Sequence, residues 1–268
     1  MKPYLAFFKI RFMNNLQYKV AAWAGLATQF VWGGMYVLLY IAIYKYSPVE
    51  KPIELDQLTT YVWLQQAFLA LIMLWYRDSG LFELIISGNV AYELARPVSL
   101  YPMWYTRLLS HRLAGVSLRF LPIILVSAVL IPYPYGLSAP VSLPAFLLFL
   151  ATMLMGLFLT VAYSMIISIS MFMTMSPVGS LTLFGLVSEL LAGMIVPLPL
   201  MPEAMQKILM ILPFWLTGDF PFRIYTGHIA VGDALYGVVM QVVWATALIA
   251  LGVVWLTRIR RKIIIQGG

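Results

Sequence analysis

Two histidines are the first candidates for chemistry in this 268-residue chain, which contains no cysteine. Neither His111 nor His228 has a Ser and an acid beside it in a recognisable catalytic arrangement. The topology predicted below places them on opposite sides of a membrane, which excludes a shared metal site. No GxxxxGK[ST] motif occurs, so the chain does not bind a nucleotide through a P-loop. We therefore predict that this chain has no catalytic residue, binds no metal and holds no cofactor.

Glu189 and Arg119 are charged residues in the interior of predicted membrane spans. An ionised carboxylate in hydrocarbon costs at least about 2.5 kcal/mol, so we expect Glu189 to face protein or a watery path, or to hold a proton. It is either a substrate-path or gating residue or a structural hydrogen-bonding group near the outer end of its span. Arg119 has the same two interpretations, since its long side chain could also reach the phosphate headgroups.

The composition indicates a polytopic membrane protein. Hydrophobic residues make up 62% of the chain and charged residues 10%, against about 25% charged in a soluble domain, and the mean hydropathy is +0.91. A soluble fold of this length cannot hide so much apolar surface. Soluble, disordered, fibrous and nucleic-acid-binding proteins are therefore excluded, and we predict no nucleic-acid partner.

The predicted fold class is an all-α integral membrane protein with six transmembrane helices. Each span needs about 20 apolar residues, and prolines divide the long uncharged stretch between Phe120 and Ser188. The predicted spans lie near 25–44, 57–75, 113–131, 145–173, 178–196 and 233–256. We expect 1–268 to form a single transmembrane domain, with spans one to five and their connections in 25–196.

The distribution of Lys and Arg predicts that both termini are cytoplasmic. Residues 1–24, 76–112 and 257–268 each hold four basic residues, and the loops on the other side hold four in all: Lys45, Lys51, Lys207 and Arg223. The overall charge of +7 fits such an excess on the cytoplasmic side. The location predicted from this pattern is a multi-pass protein of the bacterial or archaeal plasma membrane, with 257–268 as a basic cytoplasmic tail.

Residues 1–24 are too charged to span a membrane. Arg11, Asn15 and Lys19 recur every four residues, which places them on one polar stripe of a helix. This pattern favours a helix that lies in the membrane interface, in contact with the lipids. The alternative is that the segment is only the hydrated start of the first span.

Two short helices are predicted between the second and third spans. Ser79 can cap the first of them, and Gly88-Asn89 ends it. The second runs from Val90 to Ala95 and stops before Pro97. The first carries an apolar set expected to be exposed: Leu81, Phe82, Leu84, Ile85 and Ile86. Such residues need a partner surface, unless the segment simply lies against the membrane.

Residues 197–232 are apolar but contain five prolines and cannot form one straight helix. Within them, Glu203 to Leu212 forms a predicted amphipathic helix, and the following segment supplies aromatics suited to the membrane boundary, among them Phe214 and Trp215. We interpret 197–232 as a re-entrant outer helical hairpin between spans five and six. A plain interfacial loop is the alternative.

This pattern resembles the permease subunit of type-2 ABC transporters over nearly the whole chain. Two strings carry the resemblance: SGNVAYELARPVSLYP, with Gly88, Leu94, Arg96 and Pro97, and AGMIVPLPLMPEAMQKILMILPFW, with Gly193, Pro197, Pro213 and Phe214. The first is similar to the stretch after the family's cytoplasmic coupling helix. The second is similar to the family's outer segment between spans five and six.

The resemblance implies that two permeases, identical or sister chains, assemble with separate ABC ATPase subunits that bind ATP and Mg²⁺. It implies an exporter, and an amphipathic or hydrophobic cargo such as a lipid, a drug or a peptide. The residues expected to couple to the ATPase are Leu81, Phe82, Glu83, Leu84, Ile85, Ser87, Gly88 and Arg96. The candidates for the translocation path or gate are Glu189, Arg119, Phe214 and Trp215.

Two other functions remain open from the residues alone. A secondary carrier driven by an ion gradient would need more buried ionisable residues than Glu189 and Arg119, and an inverted repeat. An integral membrane enzyme acting on lipid would need His, Asp or Ser residues that converge at one membrane depth.

Overall fold

The structure is a computed structural model that describes residues 2–17, 19–47, 51–174 and 185–260. Every regular element in these ranges is helical. The helices are α1 (Lys2–Asn15), α2 (Lys19–Tyr46), α3 (Leu55–Ile72), α4 (Ser79–Ile86), α5 (Val90–Leu94), α6 (Leu100–Ser117), α7 (Phe120–Val129), α8 (Leu143–Thr174), α9 (helical residues 185–191), α10 (Glu203–Leu209), α11 (Asp219–Tyr225) and α12 (Leu235–Arg260). The bundle has two ends, which we name after the short helices they hold: the α4 end and the α10 end.

Four helices are long and apolar enough to cross a membrane: Ala22–Tyr46, Leu100–Val129, Leu143–Met173 and Leu235–Arg260. They correspond to the predicted first, third, fourth and sixth spans, so a helix suited to crossing a membrane is present at each of these four places. The third begins earlier than expected, because α6 and α7 together form one long element with a break at Leu118–Arg119. The sequence prediction for its start, near residue 113, is therefore wrong.

The predicted second span is the helix α3, which is not among the four apolar spans. It has 18 residues and carries two Thr and three Gln, and nearly all of its side chains are buried. It packs against α2, α6, α7 and α8, so its polar groups face protein. The predicted fifth span, with the expected break at Ser176-Pro177, lies partly outside the described residues; within it, residues 185–191 are helical.

A buried arginine closes the end of α3. Arg112 is 1% exposed, and its Nη1 donates to the carbonyl oxygens of Ala70 at 3.0 Å and Met73 at 2.9 Å. Its Nη2 donates to Ser164 Oγ at 2.9 Å. The last carbonyls of a helix have no partner within the helix and attract positive charge. One side chain of α6 therefore ties the end of α3 to α8.

The helix predicted at the N-terminus is confirmed for Lys2–Asn15. It packs along α6, where Tyr4 and Phe7 contact the largest hydrophobic cluster of the bundle. Two of its interactions are polar: Asn15 Oδ1 lies 3.5 Å from His111 Nδ1, and Arg11 lies over the Phe7 ring. The helix is thus attached to the bundle through α6, and α2 begins at Lys19, before the predicted end of this segment at residue 24.

The two short helices predicted after α3 are confirmed as α4 and α5. Gly88, at φ +73°, follows α4 in the left-handed conformation that favours glycine. The predicted capping residue is wrong, however. Asp78 caps α4, accepting a hydrogen bond from the Leu81 amide, and Ser79 is the first helical residue.

Residues 192–234 form a compact group of turns and short helices at and near the α10 end. A helix is present where one was predicted, but it runs from Glu203 to Leu209 and ends three residues before the predicted end at Leu212. Residues 215–225 are buried, and α11 packs on α8 and α3. Within 192–234, residues 215–225 are therefore covered by protein.

Replacing Arg112 tests the closure of α3. We expect Arg112→Met to lower the free energy of unfolding by about 3 kcal/mol, because it leaves several buried carbonyls without a donor. Thermal unfolding of the purified full chain in detergent measures the change. The matched control is Arg258→Met, at an exposed position of α12. Equal stability of the two variants would contradict the capping role.

Candidate functional site

A cavity of about 460 Å³ opens between α2, α3, the α6–α7 break and α9. Its volume lies in the range of ligand pockets, about 300–1,000 Å³. The charged and amide side chains on its wall are Gln29, Gln65, Gln66, Arg119 and Glu189, and the aromatic ones are Trp32, Tyr36, Trp75 and Tyr76. The structure therefore brings Arg119 and Glu189 to one cavity, although they are 70 positions apart in the sequence.

Arg119 supplies the positive charge of the cavity. It sits at the break between α6 and α7, and its guanidinium lies 5.7 Å from the centre of the Tyr76 ring. A Cβ atom at Gly25 would lie 2.8 Å from Arg119 Cζ. Glycine at this position of α2 therefore lets the side chain pass close to the helix backbone. Among the described residues, Arg119 Nε has no hydrogen-bond acceptor.

Glu189 supplies the negative charge, on α9. It is half-buried, and Trp75 approaches it as a hydrogen-bond donor. Glu189 also lines a second, much smaller cavity together with Phe214, whose ring stacks on Tyr163 with 5.1 Å between centroids. The structure thus places Phe214 beside Glu189 but outside the large cavity.

Three glutamines form the wall between the two charges. Gln29 Nε2 donates to the Gln66 carbonyl at 3.0 Å, and Gln65 Nε2 donates to the Met194 carbonyl at 2.7 Å. Gln29 is 5% exposed and Gln66 is 2% exposed. Their Oε1 atoms meet no donor in the part of the chain that the structure describes. Sequence reasoning did not identify Gln29 or Gln66 as site residues, and the only signal was three amides within predicted apolar spans.

Trp215 lies away from both cavities. It is 3% exposed, its ring packs edge-on against Phe220 at 5.3 Å, and its Nε1 donates to the Met210 carbonyl. Its surroundings are those of a core residue.

The surface of α4 differs from the sequence expectation. Leu81, Phe82 and Ile85 are 0%, 8% and 6% exposed, so the expectation that all five apolar residues of this helix are exposed is wrong for these three. They pack inward because α4 lies against α8. Leu84 is half-buried, and only Ile86 is largely exposed.

The outward surface of α4 borders a shallow depression of about 370 Å³. Arg77, Ser79, Phe82, Glu83, Ile86 and Ser87 line it. Glu83, Ser87 and Gly88 are exposed, and so is Arg96, which follows α5. Arg96 also borders a separate groove against α1, with Tyr4 and Phe7 on its other wall.

A bidentate ion pair fixes the start of α4. Arg107 of α6 donates from Nε to Asp78 Oδ2 at 2.6 Å and from Nη2 to Asp78 Oδ1 at 2.9 Å. Both side chains are largely buried. Burial alone would raise the pKa of the Asp78 carboxyl, but the hydrogen bonds and charge of Arg107 outweigh it and hold the pKa below its ordinary value. The carboxylate stays ionised, and α4 is bound to α6.

A second polar cluster ties the segment after α9 to α3. Asp219 is fully buried and accepts hydrogen bonds from Tyr61 OH at 3.1 Å and from Arg223 Nη1 at 3.3 Å. Arg223 Nε donates to His228 Nδ1 at 3.2 Å, and His228 Nε2 donates to the Pro52 carbonyl at 3.1 Å. The sequence signal was the Asp219–Arg223 spacing of four.

The two histidines lie at opposite ends of α3. His111 stacks on Tyr76, beyond the end of α3, and His228 contacts Pro52, before its start. At 1.5 Å per residue α3 is about 27 Å long, so the two imidazoles cannot share a metal ion. Within the described ranges, no group of three or more His, Asp or Glu residues could hold one.

The long apolar helices and the buried polar α3 describe a multi-pass membrane protein. The model of the family "ABC-2 family transporter protein" matches residues 30–262. The chain therefore belongs to this family and is a membrane permease of ABC transporters. Searches of curated proteins and of solved structures gave no significant match.

The His228 contacts predict a dependence of stability on pH. Burial and the nearby Arg223 lower the pKa of the His228 imidazole below its ordinary value, which is about 6.5. As the pH falls below 6.5 the unfolded chain takes up the proton first, so stability is full above this pH and decreases until the folded pKa is reached.

We expect the melting temperature of the purified chain to fall between pH 6.5 and 5. His228→Gln should make this fall smaller, because an amide can accept from Arg223 and donate to Pro52 at any pH. An identical pH profile in wild type and variant would contradict the assignment. Loss of the Asp78 pair is expected only in more acidic solution, since that carboxyl has its pKa below the ordinary value.

Proposed function

We propose that this chain is the permease subunit of an ATP-driven type-2 ABC exporter. Two permeases, identical or sister chains, form the pathway, and each binds a separate ATPase subunit that holds ATP and Mg²⁺. This chain itself has no enzymatic role. The cargo is an amphipathic or hydrophobic compound: a lipid, a drug or a peptide. Family membership supports the permease role, and the construction of α4 supports the coupling to an ATPase.

The observation that carries the proposal is the firm attachment of α4 to the bundle. Its N-cap Asp78 forms a bidentate ion pair with Arg107, and Leu81, Phe82 and Ile85 anchor its inner face. A short helix held in this way moves with α6 and α8. A force applied to its outer surface therefore reaches the spans, which is what a coupling helix must do.

The outer surface of α4 is the proposed docking site for the ATPase. Its exposed members are Glu83, Ile86, Ser87 and Gly88, and Arg96 follows on the same loop. The depression beside them combines an apolar centre with charged edges, the composition typical of a protein interface. The buried members Leu81, Phe82 and Ile85 act in this proposal as anchors that transmit the motion, with Leu84 at the margin.

We further propose six spans, with α3 as the second and the helix that includes 185–191 as the fifth. The excess of Lys and Arg supports a cytoplasmic α4 end and cytoplasmic termini in the plasma membrane. In this arrangement α1 lies at the cytoplasmic interface in contact with lipid. Residues 197–232 form a re-entrant segment on the outer side, within a single domain of residues 1–268.

The translocation path in this proposal includes Arg119 and Glu189, because both line the large cavity. Phe214 adjoins Glu189 in the small cavity and is the proposed gate residue. Trp215 supports this region from the core through its contact with Phe220.

Ile86→Asp tests the docking surface. Ile86 is 47% exposed, so the variant should fold, but an unpaired carboxylate in an apolar contact costs about 1–3 kcal/mol. We expect the affinity for the ATPase to fall about tenfold or more, with loss of ATP-dependent transport in reconstituted vesicles. Aspartate at Leu81 or Phe82 is unsuitable here, because it would bury a charge.

Ile208→Asp is the matched control. Ile208 is an exposed isoleucine, 62% accessible, on the short helix α10 at the opposite end of the bundle. It should retain full ATPase binding, because it lies at the end of the bundle that the ATPase does not contact in this proposal. The proposal fails if both variants behave alike, or if the isolated chain transports with an ion gradient alone.

A further inference from the structure

Opposite charges line the large cavity without neutralising each other. Among the described residues the ion pairs are Asp78–Arg107 and Asp219–Arg223, so Arg119 and Glu189 do not pair with one another. Tyr76 faces the Arg119 guanidinium, and Trp75 lines the same cavity as Glu189. The cavity therefore has a cationic region and a separate anionic region.

Unpaired acceptors lie between these two regions. Gln29 and Gln66 are more than nine-tenths buried, both line the cavity, and their Oε1 atoms have no donor among the described residues. A buried polar atom without a partner costs about 1–3 kcal/mol. Because Gln241 in the core also keeps an Oε1 atom unpaired within the described ranges, the two amides support a ligand site only together with the charged side chains of the cavity that they line.

Aromatic side chains add ring faces to the cavity that can bind a cation. Trp32 and Trp75 are 48% and 49% exposed and form a rim through which the cavity reaches the surface. Aromatic faces attract an ammonium group, and a guanidinium matches the geometry of phosphate or carboxylate. A ligand with only one charge would leave the other protein charge unbalanced in a medium of low dielectric constant.

We propose that this cavity binds a zwitterionic group, with its anion at Arg119 and its ammonium at Glu189 and Trp75, beside the side chains of Gln29 and Gln66. A phosphoethanolamine group has this chemistry and can belong to a lipid or to a small soluble molecule. The binding site stands on the geometry of the cavity. That the bound molecule is the cargo rests on the proposed function.

Equilibrium binding to the purified full chain, in a nonionic detergent, tests the inference with three labelled probes of equal chain length. One is a lysophospholipid with a phosphoethanolamine headgroup, one has a phosphoglycerol headgroup and is only anionic, and one is an alkylammonium. We expect the zwitterionic probe to bind most tightly. Soluble phosphoethanolamine is the competitor. Full competition identifies a small zwitterion, and binding that requires the acyl chain identifies a lipid; both support the inference.

Charge-neutral variants separate the two regions. Glu189→Gln should lower the affinity for the zwitterionic probe about tenfold. It should change the affinity for the anionic probe by less than about twofold. Arg119→Gln should lower the affinity for both of these probes. Their controls, Glu203→Gln on α10 and Arg258→Gln on α12, remove exposed charges outside the cavity and should bind as wild type does. Equal affinity of all three probes, or a Glu189→Gln variant indistinguishable from Glu203→Gln, would overturn the inference.

Gln66→Leu distinguishes a binding role from a structural one. It removes an unpaired buried amide, so the free chain should melt at a higher temperature while the zwitterionic probe binds more weakly. A lower melting temperature together with unchanged binding would show that Gln66 serves the fold alone, which contradicts its proposed contact with the ligand.

Transport in reconstituted vesicles separates a failure of this inference from a failure of the proposed function. If the zwitterionic probe binds most tightly but transport continues after the ATPase is inactivated, only the proposed function fails. If ATP-driven transport stays intact in wild type while all three probes bind equally, only the zwitterion site fails.

Discussion

The constraint on which the rest of the structure depends is that a helix buried among other helices must still find partners for its terminal carbonyls. Arg112 meets this constraint for α3 by binding the carbonyls of Ala70 and Met73 while it also holds Ser164 of α8. Because the charge spreads over several acceptors at a helix C-terminus, where the helix dipole is negative, it is stable inside the bundle. The end of α3 becomes a fixed point at which α6 and α8 meet.

The short segment that follows this fixed point connects the two functional regions. Trp75 and Tyr76 line the cavity, and Asp78, only two residues further, caps α4 and binds Arg107. A displacement of α4 therefore pulls on residues that line the same cavity as Arg119 and Glu189. The proposed ATPase contact and the proposed ligand contact share one short piece of backbone, which gives a direct physical route from one to the other.

The cavity wall contains buried amide oxygens without hydrogen-bond donors among the described residues, which lowers the stability of the fold. Gln29 and Gln66 each keep an Oε1 atom without a donor in the described structure, and so does the core residue Gln241, whose Nε2 binds two carbonyls. Gln29 and Gln66 differ from Gln241 in their position, because they line the large cavity.

The sequence by itself determined the membrane class, four of the long apolar helices, the short helices α4, α5 and α10, and the family resemblance, because hydropathy, proline and glycine act locally along the chain. It did not determine which face of α4 is exposed: periodicity shows where the apolar residues lie but not that α8 covers Leu81, Phe82 and Ile85. Only the tertiary structure brought Arg119 and Glu189 to one cavity and gave Arg107 and Arg112 buried partners. Such long-range pairings depend on how the helices pack, and no local pattern of residues specifies that packing.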